Sequence, residues 1–211
     1  MTLEPMQTKT SSDEHARNSW RRGGILLAAV AVAAAVGASS ASPAEGTHFE
    51  PWHRLKDRAE IEDLNYCYAA GTDAIGRGDL QAGKAIYQTC FTQDAVFAAS
   101  FPDTDPNDPP DLTTVGPDSW ADIVEGVFES AGYASTQHLI SNVRVDFQGP
   151  HTATVTSYLN ATHVLDPFGS IDLANGTYVD VVVRTPQGWR ITQRTLELIT
   201  FMRVDSPPAA P

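Results

Sequence analysis

Downstream of residue 50 the apolar positions are spaced first as helices and then as strands. Leu55, Ile61, Leu64, Tyr68 and Ile75 recur at helical intervals, and Gly76-Arg77-Gly78 ends the run, so a long first helix is expected over Trp52 to Ile75. Asp79 is placed to cap a short second helix carrying Leu80, Ala82, Ala85, Ile86 and Tyr87, and Phe91-Thr92-Gln93-Asp94 leads into a strand over Ala95 to Ala99. Gly116-Pro117 opens a third helix whose core face is Trp120, Ile123, Val124, Val127 and Phe128. After Gly132 the period falls to two. Strands are expected over Gln137 to Phe147, Thr152 to Leu165, Gly176 to Arg184 and Trp189 to Val204, separated by glycine- and proline-rich turns. In the last strand the apolar parity passes from Trp189 and Ile191 to Leu196, Leu198, Met202 and Val204, which predicts a bulge near Arg194 or Thr195. Helices first and antiparallel strands last make an α+β domain, and a bent sheet can wrap a pocket.

The first 44 residues follow another pattern. A polar stretch ends in Trp20-Arg21-Arg22, an uncharged run spans Ile25 to Val36, and small residues close on Ser42-Pro43-Ala44. That order is an export signal, expected to be cleaved near Ala44, with an uncleaved anchor as the rival reading. The arginine pair fits twin-arginine export as well as the ordinary route. The apolar run is shorter than the roughly 20 residues that span a bilayer, so no stable membrane insertion is expected after cleavage. The protein is then periplasmic or secreted, with one domain over 45–205 and a disordered Pro/Ala tail over 206–211.

Charge narrows the partners. Lys and Arg number 14 against 26 Asp and Glu, a net charge of -12, which repels phosphate backbones and excludes nucleic acid as a natural partner. Part of that charge is concentrated between the first strand and the third helix, where Phe101 to Asp111 carries four aspartates among its prolines. Its prolines forbid a sheet ladder, and its charges forbid burial. Asp103, Asp105 and Asn107 match the first ligands of a calcium loop, but Asp108 and Thr114 stand where that loop needs glycine and a bidentate glutamate, so no metal site is expected. The stretch reads as an exposed acidic loop that disfavours anionic ligands. Cys67 and Cys90, the only cysteines, are compatible with a disulfide and equally with two buried thiols.

The candidate chemistry lies on the strand Gln137 to Phe147. Alternation groups His138, Ile140 and Asn142 on one face, and Leu139, Ser141, Val143, Val145 and Phe147 on the other. A walled-in histidine is well placed to move a proton, which makes His138 the first candidate base. On the first helix Tyr66, Ala69, Ala70 and Asp73 share a stripe that puts a phenol and a carboxylate on a face left open by alanines. His163 shares parity with Ala153, Val155, Leu159 and Ala161 and should face the apolar side of its strand.

Several local matches carry a family resemblance. Arg58-Ala59-Glu60-Ile61-Glu62-Asp63-Leu64 with Tyr68 and Asp73, then Cys90-Phe91-Thr92-Gln93-Asp94-Ala95, then Thr136-Gln137-His138 with Asn142, then Gly188-Trp189-Arg190-Ile191 occur in that order. Over Arg58 to Arg203 the chain resembles the SnoaL-like members of the nuclear transport factor 2 superfamily. The resemblance implies a cone-shaped, curved antiparallel sheet closed by three N-terminal helices around a deep pocket. It is similar in pattern to scytalone dehydratase and the lindane dehydrochlorinase type, which implies an Asp73–His138 dyad, His163 as a second histidine, and a pocket lined by Tyr66 or Tyr68 and Asn142. Tyr68 stands where the dehydrochlorinase has lysine, and Gly176 and Tyr178 stand where scytalone dehydratase has serine and asparagine. The implied activity is a cofactor-independent lyase or isomerase acting on a small apolar or aromatic molecule. A non-catalytic binding module or a homodimer through the open sheet face is the alternative.

Overall fold

The computed structural model describes residues 51–105, 107–166 and 169–205. The expected export signal and C-terminal tail lie outside the described residues. Three helices, α1 (Pro51–Ile75), α2 (Leu80–Cys90) and α3 (Pro117–Ala131), cover one face of a six-stranded sheet. The strands are β1 (Phe91–Ser100), β2 (Leu112–Val115), β3 (Tyr133–Phe147), β4 (Thr152–Leu165), β5 (Ser170–Thr185) and β6 (Gly188–Asp205), in spatial order β2-β1-β6-β5-β4-β3. The expected α+β architecture is present, with three differences. β5 begins at Ser170 instead of Gly176, because residues 171–175 pair with β4 where a connection was expected. β1 runs parallel to β6, whereas every other neighbouring pair is antiparallel. β2 was not anticipated, since four residues, Leu-Thr-Thr-Val, are too few to show a period.

Local signals act where sequence places them. Asp79 accepts from the Ala82 amide at 3.0 Å and caps α2, while α3 starts on Pro117 and ends on Gly132, whose φ of 76° is the left-handed stop. Cys67 and Cys90 form a disulfide that joins α1 to the last residue of α2, which decides between the two cysteine readings. In α1 the apolar core stripe begins at Ile61; Leu55 is 60% exposed, against expectation, because it lies nine residues from Leu64, about 180° around the helix, while Asp57 is the buried residue of these first turns, bonded to Trp189 and Arg184.

Two strands depart from simple alternation. In β3 the pairing slips between Ser141 and Arg144, so an extra residue bulges out, and Asn142 takes the left-handed φ of 51° that asparagine tolerates. The parity inverts there. Val145 is buried on the same side as Thr136 and His138, not opposite them as uninterrupted alternation predicts. In β6 the slips fall at Thr192 and Ile199, on either side of the expected position, so Arg194, Leu196 and Leu198 face inward, then Phe201 instead of Met202.

Candidate functional site

Between the helices and the curved sheet lies a cavity of about 360 Å³. Its walls come from Tyr68 and Thr72 on α1, Trp120, Val124 and Phe128 on α3, and inward residues of β3 to β6, among them His138, Leu159, His163, Tyr178 and Leu198. Among the described residues no Lys, Arg, Asp or Glu lines it. Both ends of the acidic loop reach it, through Phe101, Pro102 and Leu112, while Asp103, Asp105, Asp108 and Asp111 are exposed. Asp111 ties the loop to itself by accepting from the Phe101 amide at 2.8 Å and from the Thr104 hydroxyl.

The structure brings Asp73 and His138 together. Gly76 makes this approach feasible, because a Cβ there would overlap the Thr136 side chain and push the end of α1 off β3. The Asp73 carboxylate accepts from His138 Nδ1 at 2.7 Å, from the His138 amide at 3.2 Å and from the Thr136 hydroxyl at 3.1 Å. Those donors offset the unfavourable dipole at the end of a helix. A carboxylate holds the imidazole proton on Nδ1, so Nε2 carries the lone pair, and the ring lines the cavity. Asp73 stands behind the ring and is not itself a lining residue.

His163 sits beside His138 with ring centroids 5.5 Å apart and planes at 89°. Burial first, and the neighbouring His138 second, push its pKa down to about 4. Tyr68 and Tyr178 meet edge-on at 5.5 Å on another wall, and the Tyr68 hydroxyl accepts from Trp120 Nε1 at 3.3 Å. Tyr66 is not part of the site. It is two residues from Tyr68, about 200° around a helix of 3.6 residues per turn, and it points outward, 52% exposed. Asn142, carried to the surface by the β3 bulge, is also exposed and away from the cavity lining.

Sequence reasoning missed two polar clusters. Arg194, singled out only as a bend, is a fully buried cation paired with Asp180 through Nε at 2.8 Å and Nη2 at 2.6 Å. Its guanidinium carbon lies 4.0 Å from the Tyr68 ring centre and 4.5 Å from that of Tyr178, and Nη1 has no hydrogen-bond acceptor among the described residues. Asp180 and Arg194 are register partners, but nothing in either strand alone reveals that pairing. Tyr133 lines the cavity and donates to Asp172 Oδ2 at 2.9 Å, and Asp172 also takes both Arg203 donors, at 2.8 and 2.9 Å. Arg203 holds the Asp172 carboxyl below the usual carboxylate range, whereas burial and then Asp172 push the Tyr133 phenol up.

A family model described as a SnoaL-like domain matches residues 53–195. The chain belongs to the SnoaL-like domain family. A comparison with curated proteins finds no match. Among solved structures, this SnoaL-like chain is similar to a protein provisionally named a scytalone dehydratase from Novosphingobium aromaticivorans, with 22% identity over 77% of this chain and 99% of that one and a TM-score of 0.55. It is similar also to hexachlorocyclohexane dehydrochlorinase LinA-type3 from Novosphingobium barchaimii, at 17% identity, 77% and 99% coverage and a TM-score of 0.59. A protein provisionally named an aromatic ring hydroxylase from Novosphingobium aromaticivorans is 27% identical over 71% of this chain and 94% of that one, with a TM-score of 0.56. The first two names describe eliminations and the third does not, so the SnoaL-like fold has lyase-like relatives without its naming one reaction. Among the described residues no helix is long and apolar enough to cross a membrane, and no His, Cys, Asp and Glu cluster is arranged to hold a metal.

Proposed function

We propose that this SnoaL-like protein is an exported, cofactor-independent lyase or isomerase that acts on a small apolar or aromatic molecule. The carrying observation is the Asp73–His138 pair at 2.7 Å with the imidazole on the wall of an apolar cavity. His138 Nε2 takes a proton from carbon beside an electron-withdrawing group. Asp73 stabilises the imidazolium that results. The electron pair left on carbon either expels a leaving group or moves the double bond, and His138 returns the proton to the departing group or to a neighbouring carbon. Tyr68, which lines the cavity and whose oxygen accepts from Trp120, donates its proton to a developing oxyanion, with the Arg194 charge behind its ring.

Turnover is tested by screening the mature domain against neutral hydroxylated, halogenated and ketonic ring compounds. His138→Ala and Asp73→Asn should each lower the rate by at least about a hundredfold at an unchanged melting temperature. Variants that melt like the wild type and turn over at its rate would end the catalytic reading, leaving the cavity as a binding site, which its almost wholly apolar wall also suits. Export is supported by the basic, apolar and small order of the first 44 residues and by the Cys67–Cys90 disulfide, which belongs in an oxidising compartment. Sequencing the N-terminus of the protein recovered from outside the cytoplasm checks cleavage near Ala44.

A homodimer through the outer sheet face completes the proposal. Leu139 and Tyr158 are more than half exposed there, and the outward positions of β4 and β5, from Thr152 to Val183, carry no Asp, Glu, Lys, Arg or His. On a chain of net charge -12, such a face lets two copies meet without repulsion. Sedimentation should give a dimer that Tyr158→Asp splits.

A further inference from the structure

The second histidine of the cavity is held by a cluster that the dyad does not use. His163 Nδ1 lies 3.4 Å from the backbone carbonyl of Asp172, its register partner on β5. A carbonyl can only accept, so Nδ1 carries the proton and Nε2 the lone pair. The ring's hydrogen bond to a described residue is made through Nδ1, and His163 lines the cavity. The Tyr133 ring stacks on His163 at 4.7 Å and 27°, and its hydroxyl is pinned to Asp172, whose carboxylate Arg203 grips with two donors. Asp172 therefore reaches His163 twice, through its carbonyl and through the ring it pins. Because burial keeps His163 neutral at working pH, it is an acceptor and not the donor that a second histidine would otherwise suggest.

We propose that Asp172 is a positioning residue that presents the His163 Nε2 lone pair to the cavity, so that the site selects a neutral molecule carrying a hydroxyl group at that point. A carbonyl oxygen or a halogen there would set lone pair against lone pair. A carboxylate would find no Lys or Arg among the described lining residues. A hydroxyl instead gives its proton to Nε2 and forms a hydrogen bond that none of the other groups can make. The inference rests on the same cavity as the proposed function but not on turnover, so an inactive Asp73→Asn protein serves equally well for its test.

The probes are 2-naphthol and 2-methylnaphthalene, which share a ring and differ in O–H against CH₃. Hydrophobic burial alone favours the methyl compound. In calorimetric titration of the full mature protein, 2-naphthol should bind roughly fivefold or more tighter. His163→Phe should reverse the order, and His138→Phe should not. Asp172→Leu and Tyr133→Phe should shrink the preference, while Asp172→Asn, which can still accept from Tyr133, should keep most of it. Where Asp172→Leu fails to fold, Tyr133→Phe, lacking one oxygen, carries the comparison. Long-range nitrogen–proton correlation spectra of the labelled protein should show His163 protonated at Nδ1 and bare at Nε2. An Nε2-protonated His163, equal binding of the two probes, or a preference that survives His163→Phe and vanishes in His138→Phe would overturn the proposal.

Discussion

Replacing both cysteines with alanine should test the one covalent link between the helices. Cys67 and Cys90 are 23 residues apart, and in the chain-entropy picture closing a loop of that length removes about 11 cal/mol/K from the unfolded ensemble, or about 3 kcal/mol at 25 °C. Alanine suits the site better than serine, because Cys90 is fully buried and a hydroxyl there would lack an apolar fit. For a domain of this size each kcal/mol moves the melting temperature by about 2–4 °C, so the double variant should melt on the order of 10 °C below wild type. The assay is a thermal melt followed by circular dichroism, with and without a phosphine reductant. Reduced wild type should fall to the variant's temperature, and the variant should ignore the reductant. A variant melting within about 2 °C of oxidised wild type would refute the entropic argument, and two titratable thiols in protein purified from an oxidising compartment would refute the link itself.

Stability should also fall with acid through His163. Its folded pKa of about 4 lies below the unfolded 6.5, so the unfolded chain binds the proton more readily; the contribution is whole above pH 6.5, declines as the pH drops, and is gone below about 4. At ~1.4 kcal/mol per pH unit that gap is worth about 3 kcal/mol, and His163→Phe should flatten the urea-denaturation profile over this range. A profile unchanged by the substitution would show that the ring is hydrated. Arg194→Met should destabilise by about 3–5 kcal/mol, since it strands the buried Asp180 charge, whereas Arg194→Met with Asp180→Leu should cost clearly less; equal losses in denaturant melts would deny the pairing. Deleting Asp103 to Pro109 should leave the melting temperature almost unchanged while weakening the preference for neutral over anionic ligands, measured by titration with 2-naphthol and 2-naphthoate, because the loop's charges act by field rather than by packing. Cooperative unfolding on deletion would mean that the loop is packed, and an unaltered preference that it is no gate.

What the sequence determined by itself was everything that depends on spacing along a single strand or helix. Helical and alternating periods, the Asp79 cap, the Pro117 start and the Gly132 stop placed the elements, and parity along β4 put His163 on the inner face, because these are properties of a backbone within a few residues. The Asp73 and His138 candidates came from residue type and order, but their 2.7 Å approach depends on Gly76 letting α1 close on β3. Only the tertiary structure decided the rest, since it arises between segments. The bulge at Asn142 is set by pairing with β4, and that one extra residue inverts which side chains face inward. Tyr66 shares a stripe with Asp73, yet the cavity covers a different arc of the helix. Arg194 and Asp172 look like ordinary surface charges in the chain; burial becomes tolerable only when Asp180, Arg203 and Tyr133 arrive from neighbouring strands to satisfy them, and no local pattern encodes which charges will be met in that way.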